Sequence, residues 1–217
     1  MTALLRVMVW FQAVMVPSSV AIRNVLAACL VAFEMTNCLV SLNTSPEGAP
    51  GPPPGAGMPG GPMGPPRTNW TETVIPVGNG AEGFDVSPDG KEIWVANAQD
   101  GTISVVEVAS KKVVQTLAAD VLGANRLKFT PDGRLVLISS LRAPDLVVID
   151  AATRKEVRHV KIGRGAAGIL MQPDGLRAFV ACSPDDYVAV IDLKSLEMTG
   201  KIAAGKQPDG LAWAVRK

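Results

Sequence analysis

A turn that recurs at a nearly constant interval constrains this chain more than any other feature of its sequence. Three Pro-Asp-Gly turns occupy residues 88–90, 131–133 and 173–175, so their prolines lie 43 and 42 residues apart. Proline presets φ at the first central position of a type I turn, and glycine closes the turn at positive φ. A constant interval of this length indicates a structural repeat rather than one irregular domain.

Each turn is followed by apolar runs of strand composition at matching offsets. In the first unit these runs are 93–97, 103–107 and 113–117. They are short, rich in β-branched residues and bounded by turns, which favours strands over helices. They are also nearly continuous rather than alternating, which is typical of sheets covered on both faces. Four antiparallel strands in each unit, stacked around an axis, predict the blades of a β-propeller.

The last unit is shorter than the others. Pro208-Asp209-Gly210 looks like a fourth turn, but Gly205 to Leu211 aligns with Gly78 to Phe84, the segment before the first turn. The fold class that we predict is all-β, a partial β-propeller of about 3.5 four-stranded antiparallel blades over residues 71–217. Two unpaired sheet edges would remain, and from them we expect a homodimer that completes the propeller.

The amino-acid sequence of the repeat is similar to that of a known family. The segments "VIPVGNGAEGFDVSPDGKEIWVANAQDGTISVVEV", "FTPDGRLVLISS" and "FVACSPDDYVAVIDLKSLEM" carry the resemblance. Together they resemble the YVTN-type β-propeller repeat of bacterial and archaeal extracytoplasmic proteins, over roughly residues 71–217. The tetrad that names the family has become Trp94-Val95-Ala96-Asn97 in the first unit. The resemblance implies a propeller fold that binds ligands on one face and at the central channel.

Residues 1–42 have a different composition. Thirty of them are apolar, and the only charged residues are Arg6, Arg23 and Glu34. The segment predicts a signal peptide or membrane anchor. A lipoprotein modified at Cys29 and a mis-called reading frame are the alternatives. All but the last of these place the repeat outside the cytoplasm, either periplasmic or secreted, with a possible membrane tether through this segment.

Residues 43–70 predict a disordered linker. The stretch 46–66 holds nine prolines and seven glycines at irregular steps, so the triplet of a collagen helix is absent. With few side chains to bury, the segment cannot offset its ordering entropy and forms a semi-extended tether.

Composition argues against several functions. A net charge of +1 leaves no electrostatic footprint for nucleic acid. One histidine and three cysteines, without a C-x-x-C pair, do not match a zinc module or a redox motif. Asp185 and Asp186 lack the surrounding pattern of a calcium loop. We therefore predict no catalytic residue, no metal ligand and no cofactor.

Propeller topology predicts which polar side chains share a face. If each unit runs from its innermost strand outward, the Pro-Asp-Gly turns lie on one face, and the connections between blades and the loops after the tetrads lie on the other. The second face would present Asn97, Asp100, Asp120, Arg126, Arg142, Arg164, Asp185, Asp186 and Lys206.

These patterns lead us to expect a non-catalytic extracytoplasmic module that binds a protein or small-molecule ligand through loops on one face. Two alternatives stay open. One is a propeller enzyme of the lactonase or cofactor-dependent dehydrogenase type, and the other is a truncated or split gene remnant.

Overall fold

The computed structural model describes residues 6–7, 28–32, 38–45 and 69–214, with side chains from residue 73 onward. Apart from a 3-10 turn at Ser183–Asp185, the regular structure of these residues is entirely β. The strands are β1 (Arg6–Val7), β2 (Ala28–Ala32), β3 (Cys38–Ser45), β4 (Asn69–Pro76), β5 (Ala81–Val86), β6 (Glu92–Asn97), β7 (Thr102–Glu107), β8 (Lys112–Ala118), β9 (Ala124–Phe129), β10 (Leu135–Ser140), β11 (Asp145–Asp150), β12 (Lys155–Lys161), β13 (Ala166–Met171), β14 (Arg177–Cys182), β15 (Tyr187–Asp192), β16 (Glu197–Ala203) and β17 (Leu211–Ala212).

Three blades share one topology. Strands β5–β8 form blade 1, β9–β12 form blade 2 and β13–β16 form blade 3, and each is a four-stranded antiparallel sheet whose sequential strands pair. The innermost strands β5, β9 and β13 contact one another in that order. The predicted partial propeller of four-stranded blades is confirmed.

Burial explains why the strand sequences do not alternate. The second strands β6, β10 and β14 are buried along nearly their whole length, because a neighbouring sheet covers each of their faces. The outermost strands β8 and β12 are largely exposed, and Leu117 and Val160 are their buried residues. The near-continuous apolar runs therefore mark the middle of each blade.

Aromatic pairs hold successive blades together. The ring centroids of Trp94 and Phe129 lie 5.5 Å apart at an interplanar angle of 74°, an edge-to-face contact between blades 1 and 2. At the equivalent repeat positions, Phe179 of blade 3 lies 6.1 Å from Trp213. Strand β17 thus begins a fourth unit in the register that the sequence predicts.

The N-terminal strands pair at the two ends of this stack. Strands β2, β3 and β4 form a three-stranded antiparallel sheet, and β1 pairs antiparallel with β17. Strands β1–β3 lie within residues 1–45, where the sequence predicts a leader and the start of the linker. Asn69 and Trp70 of the predicted linker belong to β4. The other residues of both segments lie outside the described residues, and the leader and linker stay predictions. Within the described residues, no helix is long and apolar enough to cross a membrane.

Candidate functional site

The loops of the blades lie on two opposite faces. Gly123 N–H donates to Ala98 O (2.8 Å) and Leu141 N–H donates to Gly123 O (2.9 Å), which joins the loop after a second strand to the connection between blades. We call this side the loop face and the other side, which carries the Pro-Asp-Gly turns, the turn face. The loop face comprises residues 77–80, 98–101, 119–123, 141–144, 163–165, 183–186 and 204–210. The turn face comprises residues 87–90, 130–133 and 172–175, together with the turns between the third and fourth strands at 108–111, 151–154 and 193–196.

The turn face uses one arrangement three times. Ser87 Oγ donates to Asp89 Oδ1 (2.7 Å), and the same oxygen accepts Lys91 N–H (3.1 Å). These hydrogen bonds, that from Ser87 first, lower the pKa of Asp89 from 3.8 to about 2. The aspartate is thereby held by its own turn. The equivalent pairs are Thr130–Asp132 and Gln172–Asp174, each at 2.6 Å.

On the loop face, blades 1 and 3 hold the connection that enters them with a carboxylate. Asp100 accepts Asn79 N–H (2.7 Å) and Asn79 Nδ2 (2.8 Å). Asp185 accepts Arg164 N–H (2.8 Å) and Arg164 Nε (2.9 Å) in the same way. In both cases the backbone hydrogen bond is the largest cause that lowers the pKa of the aspartate. These three predicted site residues, Asp100, Arg164 and Asp185, therefore also fix the shape of the loops.

Asp186 connects blade 3 to the fourth unit. Its carboxylate accepts Lys206 Nζ (2.5 Å) and Gln207 N–H (3.0 Å). The bond from Lys206 lowers the pKa of Asp186 and raises that of Lys206. Asp185 and Asp186 thus bind different segments. Among the described residues, no three His, Cys, Asp or Glu side chains group as metal ligands.

In blade 2, the loop at residues 141–144 is held by the hydroxyl group of Ser140 rather than by a carboxylate. Ala143 stands where blades 1 and 3 have aspartate, and Ser140 Oγ donates to Leu122 O (2.8 Å) while it accepts the N–H groups of Arg142 (3.1 Å) and Ala143 (3.2 Å). The side chains of Arg142 and Asp120 are exposed and make no ion pair with any residue that the structure describes. Leu122 is 48% exposed beside them. Blade 2 therefore leaves its loop side chains available to a partner.

The structure corrects the predicted place of Asn97 on the ligand-facing surface. Asn97 is fully buried, and its Nδ2 donates to Thr102 Oγ1 (2.9 Å) and to Ser104 Oγ (3.0 Å). A Cβ added at Gly78 would lie 2.6 Å from Asn97 Cγ, so the connection into blade 1 covers this side chain. Asn97 is the last residue of β6, and it is buried because the strand stays paired within the sheet up to the point where the loop begins.

The innermost strands carry a polar cluster in which Arg126 is the only predicted site residue. Asn125 Nδ2 donates to Glu82 Oε1 (2.5 Å), and Arg126 NH1 lies 3.9 Å from the same oxygen. Further along the strands, Lys128 Nζ lies 3.1 Å from Asp85 Oδ1. All five residues lie on β5 and β9, at the contact between blades 1 and 2.

A position-by-position comparison of the units would have found this cluster. Arg126 aligns with Gly83 in blade 1 and Gly168 in blade 3. Asn125 aligns with Glu82 of blade 1 and Ala167 of blade 3, so the contrast with small residues is clearest at Arg126. A large polar residue at a repeat position that otherwise holds a small one is a signal that the turn motifs do not contain.

Two further reactive side chains, His159 and Cys182, lie on strands rather than in the loops. His159 lies on the outer strand β12, where its ring nitrogens are 3.1 Å from Glu156 and 3.8 Å from Asp145. The Cys182 thiol is fully buried, and burial raises its pKa. A buried thiol of raised pKa has little thiolate and is a poor nucleophile.

A family model described as a YNCE-like β-propeller matches residues 66–177. That span is half of the chain and contains blades 1 and 2 and the start of blade 3. The chain belongs to this YNCE-like β-propeller family. No curated protein matches it.

Solved structures share the fold. A candidate 6-phosphogluconolactonase from Bacteroides uniformis is 15% identical with a TM-score of 0.66, covering 86% of this chain and 54% of its own. Hydrazine synthase of Kuenenia stuttgartiensis is 26% identical with a TM-score of 0.58, covering 60% and 38%. A dihydro-haem d1 dehydrogenase is 17% identical with a TM-score of 0.56, covering 81% and 35%. The chain thus spans about a third to a half of the length of these proteins.

Proposed function

We propose that this YNCE-like chain is a non-catalytic extracytoplasmic binding module that recognises a protein or small-molecule ligand through its loop face. One observation carries the proposal. The turn face repeats a single hydrogen-bonding arrangement in all three units, whereas the loop face is held by an aspartate in blades 1 and 3 and by Ser140 in blade 2. Variable loops on a rigid scaffold are the usual location of binding residues.

Blade 2 offers the best point of contact. Arg142 and Asp120 are exposed without an ion pair among the described residues, and the apolar side chains of Leu122 and Leu141 are about half exposed beside them. Aromatic and arginine side chains contribute most to binding at interfaces, and the apolar contacts around them exclude water. A rigid loop whose backbone is already bonded through Ser140 also loses little conformational entropy when a partner binds.

The proposal includes where the module acts and how its ring is completed. The apolar segment 1–42 supports export or a membrane tether, and the near-zero net charge makes nucleic acid an unsuitable partner. We also propose a second copy of the chain as the partner that completes the ring, because unpaired sheet edges favour association. A dimer in light scattering is the expected result, and a stable monomer would contradict this part.

Photo-crosslinking tests the loop face directly. Benzoylphenylalanine in place of Arg142 reports on the loop face, and the same residue in place of Lys91 reports on the turn face, where Lys91 is also exposed. In the native host we expect a discrete crosslinked species only at position 142. Equal crosslinking at both positions would contradict a binding role for the loop face.

An enzyme is the second candidate, because the solved structures of similar fold include a candidate lactonase and a dehydrogenase. It predicts that the full chain hydrolyses a sugar lactone faster than buffer does, which a pH-stat assay measures. Hydrolysis that is lost in a loop-face variant and kept in a turn-face variant would overturn the non-catalytic assignment.

A further inference from the structure

We propose that Glu82, Asn125 and Arg126 form a subsite for a small zwitterion of the free α-amino acid class, at the inner edge of blades 1 and 2. This inference rests on the binding function proposed above and names the ligand chemistry of a site on the inner strands next to the loop face.

The inner strands meet closely at this point. A Cβ added at Gly83 would lie 2.7 Å from Arg126 Cα and 2.8 Å from Asn125 O, so the two backbones touch. The side chains next to this contact are therefore held by two packed strands rather than by loops. Sites on such elements are better preorganised than sites on loops.

Asn125 provides a buried acceptor. The residue is 6% exposed, and its Oδ1 has no hydrogen-bond partner among the described residues. The amide orientation is fixed by Glu82, because a carboxylate accepts hydrogen bonds and so requires Nδ2 rather than Oδ1 to face it. An acceptor left without a partner at such a buried position destabilises a fold by about 1–3 kcal/mol. Oδ1 therefore remains an acceptor that can take a hydrogen bond from a ligand donor.

Arg126 provides cationic donors next to that acceptor. Its NH1 donates to Asn125 O (2.8 Å), and its side chain is 43% exposed. Guanidinium has five N–H donors in a planar fork that fits a carboxylate. The distance of 3.9 Å from Arg126 NH1 to Glu82 Oε1 is longer than a direct hydrogen bond, so the fork is only loosely engaged by Glu82.

The paired charges select the ligand. Glu82 and Asn125 Oδ1 present a carboxylate and an acceptor, and Arg126 presents a cation immediately beside them. A free α-amino acid has an ammonium group and a carboxylate on one carbon, which complements these adjacent charges. A simple anion would be attracted by Arg126 but repelled by Glu82. A simple cation would be attracted by Glu82 but repelled by Arg126.

The fold does not require these residues. Blade 3 has Ala167 and Gly168 at the two positions, and it forms the same four-stranded sheet against its neighbour. The substitutions Asn125→Ala and Arg126→Gly therefore copy residues that a neighbouring blade already uses. We expect the melting temperature of both variants, measured without ligand, to equal or exceed that of the wild type.

The experiment titrates each common free α-amino acid into the full chain by calorimetry and ligand-observed NMR, with acetate, methylammonium and lactate as probes that lack one of the two charges. We expect at least one amino acid to bind, and each variant to weaken it about tenfold or more, equivalent to about 1.4 kcal/mol. Arg126→Lys keeps the charge without the fork, and should retain part of the affinity. Lys91→Ala, which lies on the turn face and outside the subsite, should bind like the wild type.

Three results would overturn the inference. These are no binding by any amino acid, binding of acetate or methylammonium as tight as that of the amino acid, and affinity that Asn125→Ala and Arg126→Gly leave unchanged. The crosslinking comparison of positions 142 and 91 tests binding at the loop face without depending on amino acids as ligands. If crosslinking succeeds and the amino-acid titrations fail, the ligand class is wrong; if both fail, the proposed binding function is wrong.

Discussion

The two faces of this blade stack differ in how they use the same kind of residue. On the turn face, Asp89 and Asp132 each bond to the hydroxyl two residues before them and to the backbone N–H two residues after them. On the loop face, Asp100 and Asp185 bond instead to a connection 21 residues away. The turn face thus repeats a local arrangement, whereas the loop face depends on contacts between distant segments.

This difference suggests that the turn face mainly stabilises the fold and that the loop face mainly provides recognition. A local turn can recur in every unit because it needs only its own five or six residues. A loop that contacts a distant segment can change from blade to blade, and in blade 2 Ser140 replaces the carboxylate. Variation is therefore concentrated where it does not disturb the sheets. The comparison predicts larger stability effects on the turn face and larger binding effects on the loop face.

The largest stability effect is expected at Gly133. This residue has φ +72°, which a β-branched side chain adopts only with strain, and a Cβ there would lie 3.3 Å from Pro88 of the neighbouring turn. We expect Gly133→Val to lower the free energy of unfolding by about 3 kcal/mol in urea titrations. Gly205 on the loop face has φ +77° but no neighbour within 4 Å, so Gly205→Val should lose about half as much. Equal losses would mean that the turns do not pack against one another.

Thr130 tests whether the turn hydroxyl stabilises the turn. Thr130 Oγ1 donates to Asp132 (2.6 Å) and accepts Leu135 N–H (3.0 Å). Thr130→Ala should lower the free energy of unfolding by about 1–2 kcal/mol, because both partners lose a hydrogen bond. Thr130→Ser should lose under about 0.5 kcal/mol, since Ser87 makes the same contacts in blade 1. A large loss in the serine variant would assign the effect to the methyl group.

Acid should weaken both faces through their aspartates. The pKa of Asp89 in the folded chain is about 2, and hydrogen bonds also lower the pKa values of Asp132, Asp100 and Asp185. Because each folded pKa lies below the unfolded value of about 3.9, the stabilisation is complete above that value and is lost as pH falls toward 2. Urea midpoints measured across this range should decrease. Asp132→Asn should reduce the slope, and a midpoint independent of pH would contradict these assignments.

The smallest stability effect is expected at Arg142. Its exposed side chain makes no ion pair among the described residues, and the loop is held by Ser140 through the backbone. Arg142→Ala should change the free energy of unfolding by less than about 0.5 kcal/mol. A larger loss would show that this side chain is part of the scaffold, and would weaken its assignment as a contact residue.

The sequence was sufficient for the fold because local chemistry repeats. Pro88, Pro131 and Pro173 set the interval, and the apolar runs between them match the buried second strands. The alignment of Gly205–Leu211 with the segment before blade 1 is borne out by β17 and by the contact of Phe179 with Trp213.

The site was less predictable, because it depends on packing between units. The sequence places Asn97 after a strand, but not under the connection at Gly78 that buries it. It likewise does not reveal that β5 and β9 bring Glu82 beside Asn125, which requires the register of two blades. The roles of the exposed charges Asp120, Arg142 and Lys206 in binding stay predictions.

Paired photo-crosslinking at positions 142 and 91 tests the central claim most directly, because both positions are exposed and lie on opposite faces of the same stack. If the loop face is the binding surface, a discrete crosslinked species forms from position 142 and not from position 91. A species of equal yield from both positions, or one from position 91 alone, would contradict the account.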